Sequence, residues 1–245
     1  DDIYHFVADD GKVIFTPTTE PYKEAISWFH SLYADGLIDK EVFTHDFNMY
    51  YSKIQDPGKI VGVFMGWSRN ATAAGNKDDY VPMAPLINTN GERIWRTVDA
   101  KVYSKGSFAI TSQAEHPEVL VRWIDQSYEG MTLDTVIHDF GPGNDGTFAV
   151  TQPIIDKLEL NANLQERKEL DEFYAPYNVP LENTMPECFF TEDEIEEVNI
   201  LRTDIESYVT QKYASWIVEG GVEEEWDEFQ KQLQDMNVDE YIKLY

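Results

Sequence analysis

The stretch from Thr191 to the C-terminus constrains the fold more than any other part of this chain. Thr191 and Glu194, in the string TEDE, form a capping-box pattern that opens a helix. Ile195, Val198, Ile205, Tyr208 and Val209 carry one apolar face along it, so the spacing predicts a long helix. Gly220-Gly221 ends that helix. Val222, Trp226, Phe229, Leu233 and Met236 then step by four and three, which predicts a second amphipathic helix with an acidic outer face. Such stripes need a core, and 245 residues suffice for one large domain or for two intimate lobes.

Upstream, helix and strand signals alternate in a mixed α/β manner. Asp9-Asp10-Gly11 reads as a turn, with Lys12–Phe15 as the strand after it. A helix follows, with Thr19 as cap, Pro21 in its first turn, Tyr22, Ile26, Phe29 and Tyr33 at helical spacing, and Gly36 at its stop. Gly58–Gly66 (GKIVGVFMG) is a short apolar run that predicts a buried strand. Tyr80–Leu86 carries two prolines and favours extended backbone, and Asn88–Gly91 makes a turn. Arg93–Val98 and Ser107–Thr111 read as strands. Pro117 opens another helix with the stripe Leu120, Trp123, Ile124 and Tyr128, and Trp28, Trp123, Trp216 and Trp226 are all read as core. Gly141–Asn183 is irregular around a charged helical stretch near Leu164–Phe173.

Charge and composition narrow the function. With 46 acidic against 19 basic residues the formal net charge is -27, which disfavours nucleic acid and anionic membrane surfaces as partners. Aromatic residues make up 13% of the chain, which together with the periodic segments excludes a disordered one. Cys188 is the single cysteine, so an intrachain disulfide or a cysteine metal site cannot form. No stretch has the ~20 apolar residues of a membrane span, and Asp1-Asp2-Ile3-Tyr4 does not read as a signal peptide. That start reads as a mature or shortened chain.

Motifs of catalysis are missing or out of context. GPGNDG, Gly141–Gly146, has the spacing of a dinucleotide fingerprint, but neither the strand before it nor the helix after it is predicted. His5, His30, His45, His116 and His138 are scattered without metal-ligand spacing and read as surface or cap residues. Asp9–Gly11 and Asp139–Asp145 lack the alternating oxygen ligands and distal glutamate of an EF-hand calcium loop. The sequence therefore implies no cofactor and no metal. Trp67 is more informative: it stands between Gly66 and Ser68-Arg69-Asn70 at the exit of the apolar run, placed to line a cleft where a sugar ring's C–H face lies on an aromatic plane.

Four blocks resemble the family 1 extracellular solute-binding proteins of bacterial carbohydrate importers, in particular the large lipoproteins of Gram-positive bacteria. They are YKEAISWFHSLYADGLIDKEVFT (Tyr22–Thr44), GKIVGVFMGW (Gly58–Trp67), the FAIT and HPEVLVRWIDQSY segments between Ser107 and Tyr128, and Thr191–Tyr245. The resemblance implies an α/β, periplasmic-binding-protein-like type II scaffold, of which this chain is the C-terminal half with several long helices. It divides the chain into residues 1–85 as part of the second lobe up to the interlobe crossing, 86–140 as a first-lobe strand–helix segment, and 141–245 as a return to the second lobe. It gives Trp67 the stacking role and Phe189 and Phe190 a second aromatic platform, with Arg69, Trp95, Asp99 and Tyr103 as further ligand contacts.

By the same resemblance the protein is a monomeric, extracellular, lipid-anchored receptor. It captures a mono- or oligosaccharide between lobes and delivers it to the membrane permease of an ATP-binding-cassette (ABC) importer, without enzymatic chemistry. The resemblance is to the later half of such a protein and does not extend to the family's signal peptide, lipid-bearing cysteine and first lobe. The competing readings are a receptor for a peptide or other nutrient on the same scaffold, and a carbohydrate-active enzyme, which needs two carboxylates at fixed separation.

Overall fold

The structure, a computed structural model, describes residues 5–9, 11–95, 109–129, 161–180, 185–186 and 188–245. The chain divides into two compact units. One comprises Asp1–Tyr50, Pro85–Asp99 and Tyr177–Tyr245; the other comprises Tyr51–Ala84 and Ala100–Pro176.

In the first unit, β1 (Phe6–Asp9) and β2 (Lys12–Phe15) form an antiparallel hairpin in which Phe6 faces Phe15 and Asp9 faces Lys12. Gly11 takes φ +70°, a value its missing side chain permits. Helix α1 (Glu20–Ala34) starts where the Thr19 hydroxyl accepts from the Tyr22 amide at 3.4 Å. It stops in a Schellman arrangement: Gly36 N–H donates to Tyr33 O at 3.1 Å, Leu37 N–H donates to Leu32 O at 2.9 Å, and Gly36 sits at φ +75°.

Further along the chain come α2 (Phe47–Ile54), α3 (Arg69–Thr72), α4 (Pro117–Glu129) and α5 (Ala162–Tyr174). The C-terminal part is α6 (Glu192–Glu219), α7 (Val222–Asp235) and α8 (Val238–Lys243). The capping box of α6 is formed in both directions, with Thr191 N–H donating to Glu194 Oε2 at 2.8 Å and Glu194 N–H donating to Thr191 Oγ1 at 3.4 Å.

The core of this unit is the meeting of the stripes read from the sequence. Val198, Ile205, Val209, Trp216 and Ile217 of α6 are buried with Ile26 of α1, with Val222, Trp226, Phe229 and Leu233 of α7, and with Phe6, Phe15, Val238 and Tyr241. Trp216 meets Phe229 edge-on, ring centroids 4.8 Å apart, and its indole N–H donates to Glu225 Oε2 at 2.8 Å, so its one polar atom is satisfied. Gly220 is required by a close approach: at φ +80°, a Cβ there would lie 2.9 Å from His30 Nε2. His30 in turn places Nδ1 3.0 Å from Ile217 O, which ties α1 to the end of α6.

Other expectations fail. Gly58–Gly66 is not a strand; among the described residues it joins no sheet, and Ile60, Val63 and Met65 are each about two-thirds exposed. A run of strand-forming residues needs a neighbouring strand to complete its hydrogen bonds. Arg93–Trp95 makes only isolated bridges, Ile87 with Arg93 and Trp95 with Asn178, and residues 109–111 form no strand. Trp216 and Trp226 are core as read, but Trp28 is 47% exposed and Trp123 is 65% exposed. Ile195 is exposed as well. GPGNDG, His138 and Asp139–Asp145 lie outside the described residues.

Replacing Phe229 by Ala is expected to cost ~3–5 kcal/mol in urea unfolding, because the ring is fully buried among Trp216, Trp226 and Tyr208. A loss below ~1 kcal/mol contradicts this core. The Thr191 amide and then its hydroxyl hold the Glu194 carboxyl below the usual 4.5. A depressed carboxylate stabilises above its unfolded pKa, and that stabilisation is lost as pH falls through the folded value. Thr191→Ala removes the hydroxyl that caps α6 and is expected to cost ~1 kcal/mol in urea unfolding at pH 7; the residue 191 amide still donates to Glu194, so most of the parent's acid dependence is kept.

Candidate functional site

The second unit holds Trp67 and Arg69. Gly66 lets the chain pass against α3, since a Cβ there would fall 2.4 Å from Thr72 Oγ1. Ser68, buried, caps α3 by accepting the Ala71 amide at 3.0 Å. The remaining amides at this helix start are taken by a residue of α5. Glu166 Oε1 accepts from Arg69 N–H and Oε2 from Asn70 N–H, each at 2.9 Å, and the Asn70 side-chain amide donates to the same Oε2.

Arg69 Nε completes the arrangement 3.0 Å from Glu166 Oε1. Glu166 is only 6% exposed, and a carboxylate so buried is tolerated because each oxygen is paired with donors or with positive charge. Arg69 Nη1 also donates to Tyr80 O at 3.1 Å, and the Tyr80 hydroxyl donates to Val61 O at 2.7 Å. The guanidinium of Arg69 is thus a strut between α5 and the extended segments at Val61 and Tyr80.

Trp67 stands on this fixed backbone and is 54% exposed. Arg167, next to Glu166 on α5, lies over the Trp67 ring with its guanidinium carbon 4.6 Å from the centroid. Its Nη1 donates to Trp67 O at 3.5 Å and its Nη2 lies 3.2 Å from Asp171 Oδ1. A flat aromatic held from behind and open to solvent can receive an apolar ligand face.

The other predicted site residues are placed differently. In the first unit Trp95 is half-buried; its N–H donates to Tyr177 O at 2.7 Å and its O accepts from Val179 N–H at 3.3 Å. Phe189 is 73% exposed. Phe190 packs on the core edge-on to Tyr245, centroids 5.3 Å apart. Asp99 and Tyr103 lie outside the described residues. The sequence reading missed Glu166 and Arg167: in a chain with 46 acidic residues no single glutamate of a charged helix stands out, and both partners are about a hundred positions away.

Over 97% of its length the chain is 27% identical to FusA, the fructooligosaccharide ABC transporter substrate-binding protein of Streptococcus pneumoniae serotype 4. The chain is homologous to the C-terminal part of this ABC-transporter substrate-binding protein. It spans 50% of that relative's length. No protein-family model matches.

Two solved structures share the substrate-binding-protein fold. An EF-hand mutant of FusA in complex with fructo-nystose matches 98% of this chain at TM-score 0.70 and 25% identity, over 56% of its own chain. A human-milk-oligosaccharide (HMO)-binding, ABC-transporter-associated solute-binding protein from Bifidobacterium longum infantis matches 98% at TM-score 0.71 and 23% identity, again over 56% of its own chain. The described helices of this homologue, with its small β1–β2 sheet, are those of the C-terminal half of that α/β scaffold.

Glu166→Gln removes the charge that Arg69 faces and turns one acceptor into a donor against the α3 amides. Hydrogen exchange at the Arg69 and Asn70 amides is expected to accelerate about thirtyfold, the equivalent of ~2 kcal/mol for hydrogen bonds to a charged group. Unchanged protection there contradicts the role given to Glu166.

Proposed function

We propose that this chain is part of an oligosaccharide receptor that captures its ligand outside the cell and hands it to the permease of an ABC importer. The observation that carries the reading is the match to a fructooligosaccharide substrate-binding protein along nearly the whole chain. The half-exposed Trp67, fixed at the start of α3, supports it, because a pyranose or furanose ring can lay its C–H face on the indole while neighbouring donors take its hydroxyls. Phe189, Trp95, Asp99 and Tyr103 are proposed as further contacts. Arg69, paired with Glu166, and Phe190, packed on the core of the first unit, are likewise proposed as ligand contacts.

The protein is further proposed to be monomeric, lipid-anchored at the surface of a Gram-positive bacterium, and without catalytic turnover. Its strongly acidic balance fits an uncharged saccharide better than an anionic ligand. Binding then works by population shift: a ligand that prefers one arrangement of the protein stabilises that arrangement, and the permease reads it.

A thermal-shift series on the full-length protein with kestose, other oligosaccharides, monosaccharides and short peptides tests this. One oligosaccharide should raise the unfolding midpoint in a dose-dependent way, by ~2.7 kcal/mol of stability at a hundred times its Kd. Trp67→Ala should weaken its binding about tenfold, the scale of a lost aromatic stacking contact. Stabilisation by peptides alone, or release of a chromophore from a glycoside, contradicts the proposal.

A further inference from the structure

We infer that Arg167 is a positioning residue that sets which face of Trp67 a ligand can use, an inference that rests on the oligosaccharide reading above. Three contacts fix its guanidinium. It lies over the indole at 4.6 Å, donates to the carbonyl of the same tryptophan at 3.5 Å, and is paired with Asp171, one helical turn on along α5, at 3.2 Å. An (i, i+4) carboxylate of this kind keeps a planar guanidinium from swinging away with its long stem. The preceding residue, Glu166, grips the backbone immediately after Trp67 through the Arg69 and Asn70 amides. Two consecutive residues of α5 therefore hold the tryptophan, one by its ring and one by the chain that carries it.

Recognition is thereby limited to one side of the ring. One face of the indole lies under the guanidinium and the residue is 54% exposed, so a stacking ligand is expected on the opposite face. Trp67 is thus a one-sided platform, and a sugar stacks on it singly; two rings cannot sandwich it. Because Arg167 has already removed the rotational freedom of the indole, ligand binding does not have to, and that ordering cost is a recurrent drain on affinity. The side chain of Arg167 is itself about one-third exposed, so Met, which keeps an apolar stem of similar length, is the replacement that preserves its packing while removing the guanidinium.

Calorimetric titration of the full-length protein with kestose, or with whichever oligosaccharide stabilises the parent, tests the inference in five forms: parent, Arg167→Met, Arg167→Lys, Trp67→Leu and the Arg167→Met/Trp67→Leu double variant. Arg167→Met should raise Kd about three- to tenfold, the scale of having to order one freed side chain on binding, with the unfolding midpoint kept. Arg167→Lys, which keeps the charge and loses the plane, should fall between Met and parent. In the Trp67→Leu background Arg167→Met should add nothing further. An Arg167→Met variant that binds as tightly as the parent, or that loses as much affinity with Leu at position 67 as with Trp, overturns the role of Arg167 and leaves the receptor reading standing. A parent that binds no saccharide overturns both.

Discussion

The apolar face of α6 is the constraint on which the larger unit depends. Val198, Ile205, Val209, Trp216 and Ile217 lie along one side of a helix from Glu192 to Glu219, and α1, α7, α8 and the β1–β2 hairpin contribute the residues that cover them. The direction in which α7 leaves is set by Gly220 and Gly221, both at positive φ, and the space for that turn exists only because Gly220 has no Cβ to meet His30. Burial of hydrocarbon and aromatic surface thus holds this unit, with caps and a few ion pairs such as Lys23–Glu223 trimming its helix ends.

The second unit is held by a different kind of interaction. Its described buried residues include Ser68, Thr72, Asn76 and Glu166 beside Ile54 and Ala73, and hydrogen bonds made at these positions join segments distant in sequence. Asn76 donates to the carbonyls of Ile54 and Asp56, Gln55 donates to Thr72 O, and Glu166 receives the α3 amides. Such networks are directional, and the bonds of Ser68 and Glu166 fix the backbone at Ser68–Ala71. The proposed role of Trp67 benefits from a fixed backbone, since a stacking residue that moves gives up affinity to its own ordering.

What could be read in the sequence follows from how local each interaction is. Thr19, Gly36 and the Thr191–Glu194 box act within a few residues of themselves, and all three appear as read. The stripe on α7 was legible for the same reason. Gly58–Gly66 was misread because apolar and β-branched residues favour a strand only where another strand stands beside them, which the segment's own sequence cannot tell. Trp28 and Trp123 show the matching limit of helical periodicity: it marks a face, and only a neighbour makes that face a core. Trp67 was visible through its flanking Gly66 and Ser68. Glu166 and Arg167, which give it its position, were hidden by distance along the chain and by the abundance of charge.

Trp67 is the surface proposed to meet a saccharide, while the buried Trp216 and Trp226 hold the fold. Fluorine NMR of the full-length protein labelled with 5-fluorotryptophan addresses this directly, with the Trp67 signal assigned by its loss in Trp67→Phe. At saturating oligosaccharide the Trp67 resonance should move and those of Trp216 and Trp226, buried in the core of the other unit, should stay. A Trp67 signal that does not respond to a saccharide that demonstrably binds contradicts the account.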